Sequence, residues 1–112
     1  AGTIKTEVRT IVALIGIGQR AGKLVSGAQA VKSCLKRGWV KLLLIANDAS
    51  PQSVQAIKRL AAIKAVPVIT YGSKDDLGRL IGKSSRSALA VTDEHIAKGI
   101  IEAYERGDAN RT

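Results

Sequence analysis

The sequence predicts a three-layer α/β/α sandwich built around a mixed four-stranded sheet. Two short runs, residues 42–46 and 88–91, are apolar at every position, which is typical of strands covered on both faces. Longer segments with helical spacing alternate with such runs, so helices are expected on both sides of one sheet. With 46% apolar and 24% charged residues, the composition favours one folded domain over residues 1–112, with a core over 4–105 and frayed termini.

The first third of the chain predicts two helices separated by a brief strand. Apolar residues recur every three or four positions, at Ile4, Val8, Ile11 and Ile15. This spacing predicts an amphipathic helix over residues 4–20, which Gly22 ends, followed by a strand at 24–25. Ser26, with Gln29 three positions later, matches a capping box, so the second helix is expected to begin at Ser26.

The remainder predicts three more helices and three more strands. Helix-start signals recur at Ser50-Pro51, at Ser73 with Asp76, and at Thr92-Asp93. These residue types begin helices because a side-chain oxygen caps the free N–H groups and proline is tolerated at the first helical position. Strands are predicted at 42–46, 67–71 and 88–91, with a polar, basic loop over 83–87 before the last.

The charge of the chain favours a polyanionic partner, since the net charge is +9 and the pI is near 10.1. Residues 1–60 hold ten bases and two acids, whereas residues 61–112 hold eight bases and seven acids. This concentration predicts a basic face; the alternative is a generally basic surface. The chain has three aromatic residues, Trp39, Tyr71 and Tyr104, which counts against modules that stack bases on an aromatic sheet.

Cysteine usage and hydropathy predict a cytoplasmic protein with no membrane partner. One cysteine cannot form an internal disulfide, which is typical of a reducing compartment. The longest apolar stretch, residues 11–17, is far shorter than the roughly 20 residues that a membrane-spanning helix needs.

Three patterns that would indicate enzyme chemistry are incomplete. Residues 16–21 match a dinucleotide-binding loop, but helical spacing precedes them where a strand is required. A Walker loop is excluded because Leu24 follows Gly22-Lys23 where Ser or Thr is needed. Cys34 and His95 are the single residues of their types, Cys34 expected in the core and His95 in solvent. We therefore predict no cofactor, no metal and no small-molecule substrate.

The strongest candidate binding segment covers residues 23–41. Ser26-Gly27 would leave backbone N–H groups free at the start of a helix, a natural seat for an anion. Gln29, Lys32 and Lys36 follow at i, i+3 and i+7 and share one helical face. In one interpretation the amide reads base edges while the lysines hold phosphates. In the other it caps the helix and the lysines are solvated, and spacing alone does not separate the two.

Several ordered motifs resemble one known family over residues 8–104. They are Arg20–Gly27 (RAGKLVSG), Gly38 eleven positions after Gly27, Leu44–Pro51 (LIANDASP), Pro67-Val68 and Ser73–Lys83 (SKDDLGRLIGK). Together these motifs resemble the kink-turn-binding ribosomal protein family of the large-subunit protein seven-A-e type. Within that family, the bacterial YlxQ-like branch is the most similar.

The resemblance implies the same sandwich and a non-enzymatic, ribosomal protein-like partner of structured RNA. Family members bind kink-turns, in which a sharply bent backbone displays two sheared G·A pairs. In them a helix that begins at a glycine, here Gly27, enters the widened groove, and an amide, here Gln29, reads a guanine. The positions of the family's frequent acid and of its archaeal lysine hold Ala30 and Ser33, with Lys32 one position earlier.

In the same family a loop before the last strand covers a flipped-out nucleotide. The resemblance places that loop at Lys83–Ala88, with Arg86 and Ser87 at its centre. The full set of predicted RNA-binding residues is Lys23, Ser26, Gly27, Gln29, Lys32, Lys36, Asn47, Asp48, Arg86 and Ser87.

Two other functions share this fold or this charge. The sandwich also resembles the substrate-recognising N-terminal domain of some RNA 2′-O-methyltransferases, although 112 residues leave no room for their catalytic domain. A basic protein-interaction module with an acidic partner is the second alternative. Salt-dependent retention on structured RNA, compared with retention on an equally charged acidic protein, distinguishes these functions.

Overall fold

Five helices alternate with four strands over residues 10–107, the part of the chain that this computed structural model describes. In chain order they are α1 (Ile11–Arg20), β1 (Leu24–Ser26), α2 (Ala28–Lys36), β2 (Leu42–Ile45), α3 (Pro51–Ile63), β3 (Val68–Thr70), α4 (Lys74–Leu80), β4 (Ala88–Val91) and α5 (Glu94–Glu105). The predicted alternation is confirmed. Within residues 10–107, no helix is both long and apolar enough to cross a membrane.

Helix α1 begins later than its predicted start at residue 4. Thr10 has extended backbone angles (φ −90°, ψ 163°), and its hydroxyl oxygen accepts a hydrogen bond from the backbone N–H of Ala13 at 3.0 Å. A residue in this conformation is a helix N-cap, so the prediction of one uninterrupted helix over residues 4–20 is wrong. Residues 4–9 of that prediction lie outside the described part of the chain.

The four strands form one mixed sheet in the order β1-β4-β2-β3. Strands β2 and β3 are parallel, whereas β4 is antiparallel to both β1 and β2. In the central pair, Leu42 lies opposite Val91 and Leu44 opposite Leu89, with Leu43 opposite Ala90 between them. Because side chains alternate between the two faces along a strand, the pairs Leu42–Val91 and Leu44–Leu89 lie on the same face of the sheet.

Helices cover both faces of the sheet, which confirms the predicted three-layer sandwich. Leu42, Leu44 and Leu89 pack with apolar residues of α1, α4 and α5 on one face. Leu43, Ile45 and Ala90 pack with residues of α2 and α3 on the other. Every residue of β2 and β4 is at most 2% exposed, which explains why both strands are apolar at every position.

Of the four helix starts predicted from capping residues, three are confirmed and one is wrong. Ser50, Ser73 and Asp93 are N-caps whose side chains accept hydrogen bonds from backbone N–H groups. Ser73 and Asp76 form a complete capping box. The predicted capping box of Ser26 with Gln29 does not form. Ser26 is the last residue of β1, paired with Leu89, and this pairing keeps its backbone extended, so the helix begins one residue later.

The strand directions define two ends of the sheet. Strands β1 and β2 finish where β4 begins, and we call this the loop end; its chain segments are 26–28, 46–49, 71–74 and 83–88. The opposite end, which we call the far end, holds residues 22–23, 38–41 and 92. Backbone hydrogen bonds close the far end from Lys41 N to Val91 O and from Thr92 N to Lys23 O.

Candidate functional site

Three segments meet at the loop end and are joined by backbone hydrogen bonds. The N–H of Gly27 donates to the carbonyl of Ala88 at 3.4 Å, and the N–H of Ala46 donates to the carbonyl of Ser87 at 2.9 Å. The segment before β4 therefore bridges the end of β1 and the end of β2. Of the predicted site residues, this geometry brings Ser26, Gly27, Asn47, Asp48, Arg86 and Ser87 to one end of the sheet.

Gly27 is the N-cap of α2 and leaves the start of that helix open. Its backbone angles (φ 93°, ψ 141°) lie in a region that almost only glycine adopts. No side chain caps the helix, no acidic residue lies in its first turn, and a Cβ added at Gly27 would meet no atom within 4 Å. The first N–H groups of α2 are thus available to an anion, with the helix dipole favouring negative charge.

Arg86 fastens the segment before β4 to the start of α2. Its Nε donates to the hydroxyl of Ser26 at 3.2 Å, and its terminal nitrogen donates to Ser84 Oγ at 2.8 Å and to the carbonyls of Ser84 and Ser85 at 3.1 Å. The guanidinium is therefore held in one position and places a positive charge next to Gly27. This contact joins residues 60 positions apart in the sequence.

The start of α4 anchors two of the segments at the loop end. Asp48 Oδ1 accepts a hydrogen bond from the backbone N–H of Lys74 at 2.8 Å, and the Lys74 carbonyl accepts one from the N–H of Arg86 at 3.0 Å. Asp48 is thus occupied by a structural contact. The side chain of Asn47 is exposed, while its backbone N–H donates to the Gly72 carbonyl at 2.7 Å.

Gly78 supports the same loop, and our sequence analysis did not identify it. A Cβ added at this position in α4 would collide with the backbone carbonyl of Ser84. The N–H of Lys83 donates to the Gly78 carbonyl at 2.8 Å, so the loop lies directly against the helix. A glycine inside a short, well-capped helix is unfavourable by itself, and that local conflict was the available signal.

The exposed face of α2 carries the predicted amide and lysines. Gln29 and Lys36 are exposed and Lys32 is half-buried, whereas Val31 and Leu35 are fully buried on the opposite side. The structure therefore confirms that the three polar residues share a face. With nine residues at a rise of about 1.5 Å, α2 is about 13 Å long, so Lys36 lies towards the far end. Lys23, which precedes β1, also lies there and not at the loop end.

The layer formed by α2 and α3 has a uniform charge. With their cap residues, these two helices contain six bases and no acid: Lys32, Lys36, Arg37, Lys58, Arg59 and Lys64. Within residues 10–107 none of the six forms an ion pair. Their positive charge is therefore available to a polyanion.

The acids next to the loop end serve as caps. The backbone N–H of Ser73, the Ser73 hydroxyl and the nearby Arg79 guanidinium hold the pKa of Asp76 below its usual value. Asp76 and Arg79 also form an exposed ion pair at 3.1 Å. This carboxylate stabilises the start of α4, from which the loop-end contacts of Lys74 extend.

Among residues 10–107 there is no group of three or more His, Cys, Asp or Glu that could hold a metal ion. Cys34 lies on α2 and is half-buried, and His95 lies on α5 and is exposed, so they belong to different layers of the sandwich.

Comparisons with known proteins agree with this geometry. The model of the ribosomal protein L7Ae/L30e/S12e/Gadd45 family matches residues 10–101, inside the stretch that carries the sequence resemblance. RNA-binding protein YlxQ of Bacillus subtilis is 35% identical over 92 residues, which cover 82% of this chain and 92% of that protein.

Large ribosomal subunit protein eL8 of Thermoplasma volcanium is 33% identical, with 78% of this chain and 76% of that protein covered. A solved structure of a protein with unknown function from Bacillus halodurans C superposes with a TM-score of 0.81 at 25% identity, covering 88% of this chain and 99% of that one. These matches confirm the resemblance inferred from the sequence motifs.

Proposed function

Because this chain belongs to the ribosomal protein L7Ae/L30e/S12e/Gadd45 family, we propose that it is a non-enzymatic RNA-binding protein that recognises kink-turn or similarly bent structured RNA. The names of two relatives, an RNA-binding protein and a large ribosomal subunit protein, support this proposal. The observation that carries it is the open start of α2 at Gly27, next to the fixed guanidinium of Arg86 and with no acid on the helix.

In this proposal the start of α2 enters the widened groove of the bent RNA. The free N–H groups that follow Gly27 approach the RNA backbone, and Gln29 offers an amide donor and acceptor to a base edge. Lys32 and Lys36 bind phosphates along the same face of the helix. Ala30 and Ser33 carry no charge, so base recognition on this face is assigned to Gln29.

The segment before β4 covers an unstacked nucleotide. Arg86 positions this segment through Ser26, and Ser87, which is half-buried, precedes Ala88, whose carbonyl accepts the N–H of Gly27. Asn47 contributes an exposed amide, Asp48 positions the loop after β2, and Lys23 contributes a phosphate contact at the far end. The whole chain, residues 1–112, acts as one RNA-binding domain in the cytoplasm; both statements remain predictions.

A gel-shift comparison tests the proposal with two RNAs, a standard kink-turn and a matched duplex without the bulge. We expect tighter binding to the kink-turn and, for both RNAs, an affinity that falls steeply with salt because lysine–phosphate contacts release counterions. Equal affinity for the two RNAs would contradict kink-turn recognition and leave RNA binding intact. No binding to either at low salt would contradict RNA binding itself.

Adding an equally charged acidic protein to this comparison, as a third ligand, separates the two alternatives. Retention on an equally charged acidic protein that exceeds retention on both RNAs would indicate a protein-interaction module. A methyltransferase-type recognition domain would bind its RNA substrate without a preference for the bend.

A further inference from the structure

Trp39 lies exposed at the far end of the sheet, in a protein with three aromatic residues. It is 53% exposed and follows Gly38, whose positive φ of 76° turns the chain out of α2. The N–H of Trp39 donates to the Cys34 carbonyl at 3.1 Å, which fixes the backbone of the turn. The guanidinium carbon of Arg37 lies 5.0 Å from the centroid of the indole, a cation–π distance.

The indole forms part of the wall of an open hollow of about 480 Å³. The other lining residues are Gly22, Val25, Cys34, Gly38, Lys41 and Thr92. None of these seven residues is acidic, one is a lysine, and two are glycines, which add no side chain to the lining. Arg37, whose guanidinium lies over the indole ring, is not among the residues that line the hollow.

We propose that Trp39 stacks an unpaired nucleobase of an RNA strand that continues beyond the docked stem. This proposal rests on the proposed function, because it requires RNA at the loop end. Stacking on an indole suits any base, since every base has a π face, and the nearby cations suit its phosphates. The ligand class is therefore a single-stranded extension without a fixed sequence.

The surface between the loop end and Trp39 supplies a continuous cationic path. Lys32, Lys36 and Arg37 follow one another along or just after α2, and the helix itself carries no acid. Its length of about 13 Å corresponds to roughly four nucleotide steps of 3.4 Å. A strand leaving the groove at Gly27 needs only a few nucleotides to reach the hollow.

A neighbouring hollow on α5 is more acidic. It shares Lys41 with the Trp39 hollow and also contains Lys98, but its three glutamates, Glu94, Glu102 and Glu105, leave it without a net positive charge. Phosphates are less favoured on that side, so the strand is expected to approach Trp39 from α2.

Fluorescence gives a direct test, because Trp39 is the chain's one tryptophan. The full chain is titrated with a blunt kink-turn RNA and with the same RNA carrying a four-adenosine extension on each strand end in turn. We expect quenching with at least one extended RNA, little change with the blunt RNA, and a gain in affinity of about 5- to 150-fold from the stacked base.

Two variants isolate the role of the ring. Trp39→Leu, which keeps an apolar side chain, should remove the gain from the extension and leave affinity for blunt RNA unchanged. Trp39→Tyr, which keeps an aromatic face, should retain most of the gain. Circular dichroism melts of both variants check that the fold is intact.

The possible failures are distinguishable. No binding of blunt RNA means that the proposed function is wrong. In that case a free hexamer of adenosine at low salt tests the stacking site, and the absence of Trp39 quenching overturns the stacking proposal. Blunt binding with neither quenching nor gain from any extension overturns the stacking proposal alone. Equal losses on blunt and extended RNA in Trp39→Leu also overturn it. A fluorescence response to poly-glutamate and not to extended RNA would assign the hollow to an acidic protein partner and overturn it.

Discussion

The two helical layers of the sandwich cover the same sheet with opposite electrostatics. With their cap residues, α2 and α3 contain six bases and no acid, whereas α1, α4 and α5 contain five bases and six acids. The latter are Arg20, Lys74, Arg79, Lys98 and Arg106, with Asp75, Asp76, Asp93, Glu94, Glu102 and Glu105. The two layers therefore carry net charges of +6 and −1, and this difference predicts which side a polyanion approaches.

The layers also differ in what their charges do within the protein. Asp76 and Asp93 cap α4 and α5, and Asp76 pairs with Arg79, so these acids stabilise the fold. The bases of α2 and α3 form no ion pair with described residues. One layer thus uses its charges for stability, and the other leaves them available for binding.

The largest effect is expected where the layer formed by α1, α4 and α5, which we call the mixed-charge layer, supports the site. Gly78→Ala forces a Cβ into the Ser84 carbonyl, which should lower the free energy of unfolding by about 1–3 kcal/mol and abolish kink-turn binding by displacing the loop. The control is Gly16→Ala in α1, where a Cβ meets only Arg20 at 3.5 Å. It should be neutral or slightly stabilising. Urea melts and gel shifts measure both variants, and equal behaviour would contradict this support.

Charge removal tests the comparison of the layers directly. Replacing Lys32 and Lys36 with Gln should flatten the slope of log affinity against log salt by about one to two units and weaken blunt kink-turn binding about 30-fold at 0.15 M salt. The matched pair Arg20→Gln with Lys98→Gln removes the same charge from the other layer and should change neither quantity appreciably. Equal effects of the two pairs would mean that the net charge, and not its position, governs binding.

Gly27 and Gly22 form a matched pair of glycines at the two ends of β1. Both have positive φ, at 93° and 70°, and a Cβ at either meets no atom within 4 Å. Each change to Ala should therefore cost about 1–3 kcal/mol of stability through backbone strain. Only Gly27→Ala should also weaken blunt kink-turn binding, because it alters the start of α2. Gly27→Val should do so more strongly. If both Ala variants bind as the wild type does, the docking geometry is wrong.

Substitution of Gln29 tests base recognition directly, because the predicted capping role of this side chain does not complicate the result. It takes no part in capping, since Gly27 is the N-cap without a side-chain hydrogen bond, so Gln29→Ala should leave stability nearly unchanged. Its affinity for a kink-turn should fall by about 1–3 kcal/mol, and its affinity for the unbent duplex far less. Gln29→Glu should lose affinity too. A Gln29→Glu variant that binds the kink-turn like the wild type would exclude base reading.

The smallest effect concerns pH and the mixed-charge layer. Because Ser73 and Arg79 lower the pKa of Asp76, the stabilising contribution of this carboxylate is present above its ordinary pKa of 3.8 and is lost as the pH falls through the lowered pKa. The difference in Tm between wild type and Asp76→Asn should therefore shrink as the pH is lowered towards 2. Asp75→Asn, at the exposed neighbouring position outside the capping box, is the matched control.

Local patterns were sufficient for most of the fold. The helix starts at Ser50, Ser73 and Asp93 could be predicted because each side chain caps a backbone N–H only three residues later in the sequence. Ser26 was assigned to the wrong element because its conformation depends on Leu89 and its hydroxyl on Arg86, both about 60 positions distant. Thr10 shows the converse. Its capping hydrogen bond to Ala13 is local, but the apolar spacing continues on both sides of Thr10 and conceals the start of the helix.

The placement of the candidate site residues was partly predictable from the sequence, and their contacts within the protein were less so. The shared face of Gln29, Lys32 and Lys36 follows from helical spacing, and the structure has it. The structural contact of Asp48 with Lys74 spans 26 positions and has no local signal. RNA contacts of the ten site residues remain predictions, although the family to which the chain belongs was identified from its motifs.

A single peptide segment at Lys74 ties together the two loops that flank the open helix start. The N–H of Lys74 donates to the Asp48 carboxylate, and its carbonyl accepts from the backbone N–H of Arg86. Neither loop can therefore rearrange without breaking a hydrogen bond to the same residue. The conformational entropy of ordering these loops is therefore lost during folding rather than at the encounter with a ligand. Recognition then relies on a preorganised surface, and the deformation that complex formation demands is left to the partner's backbone.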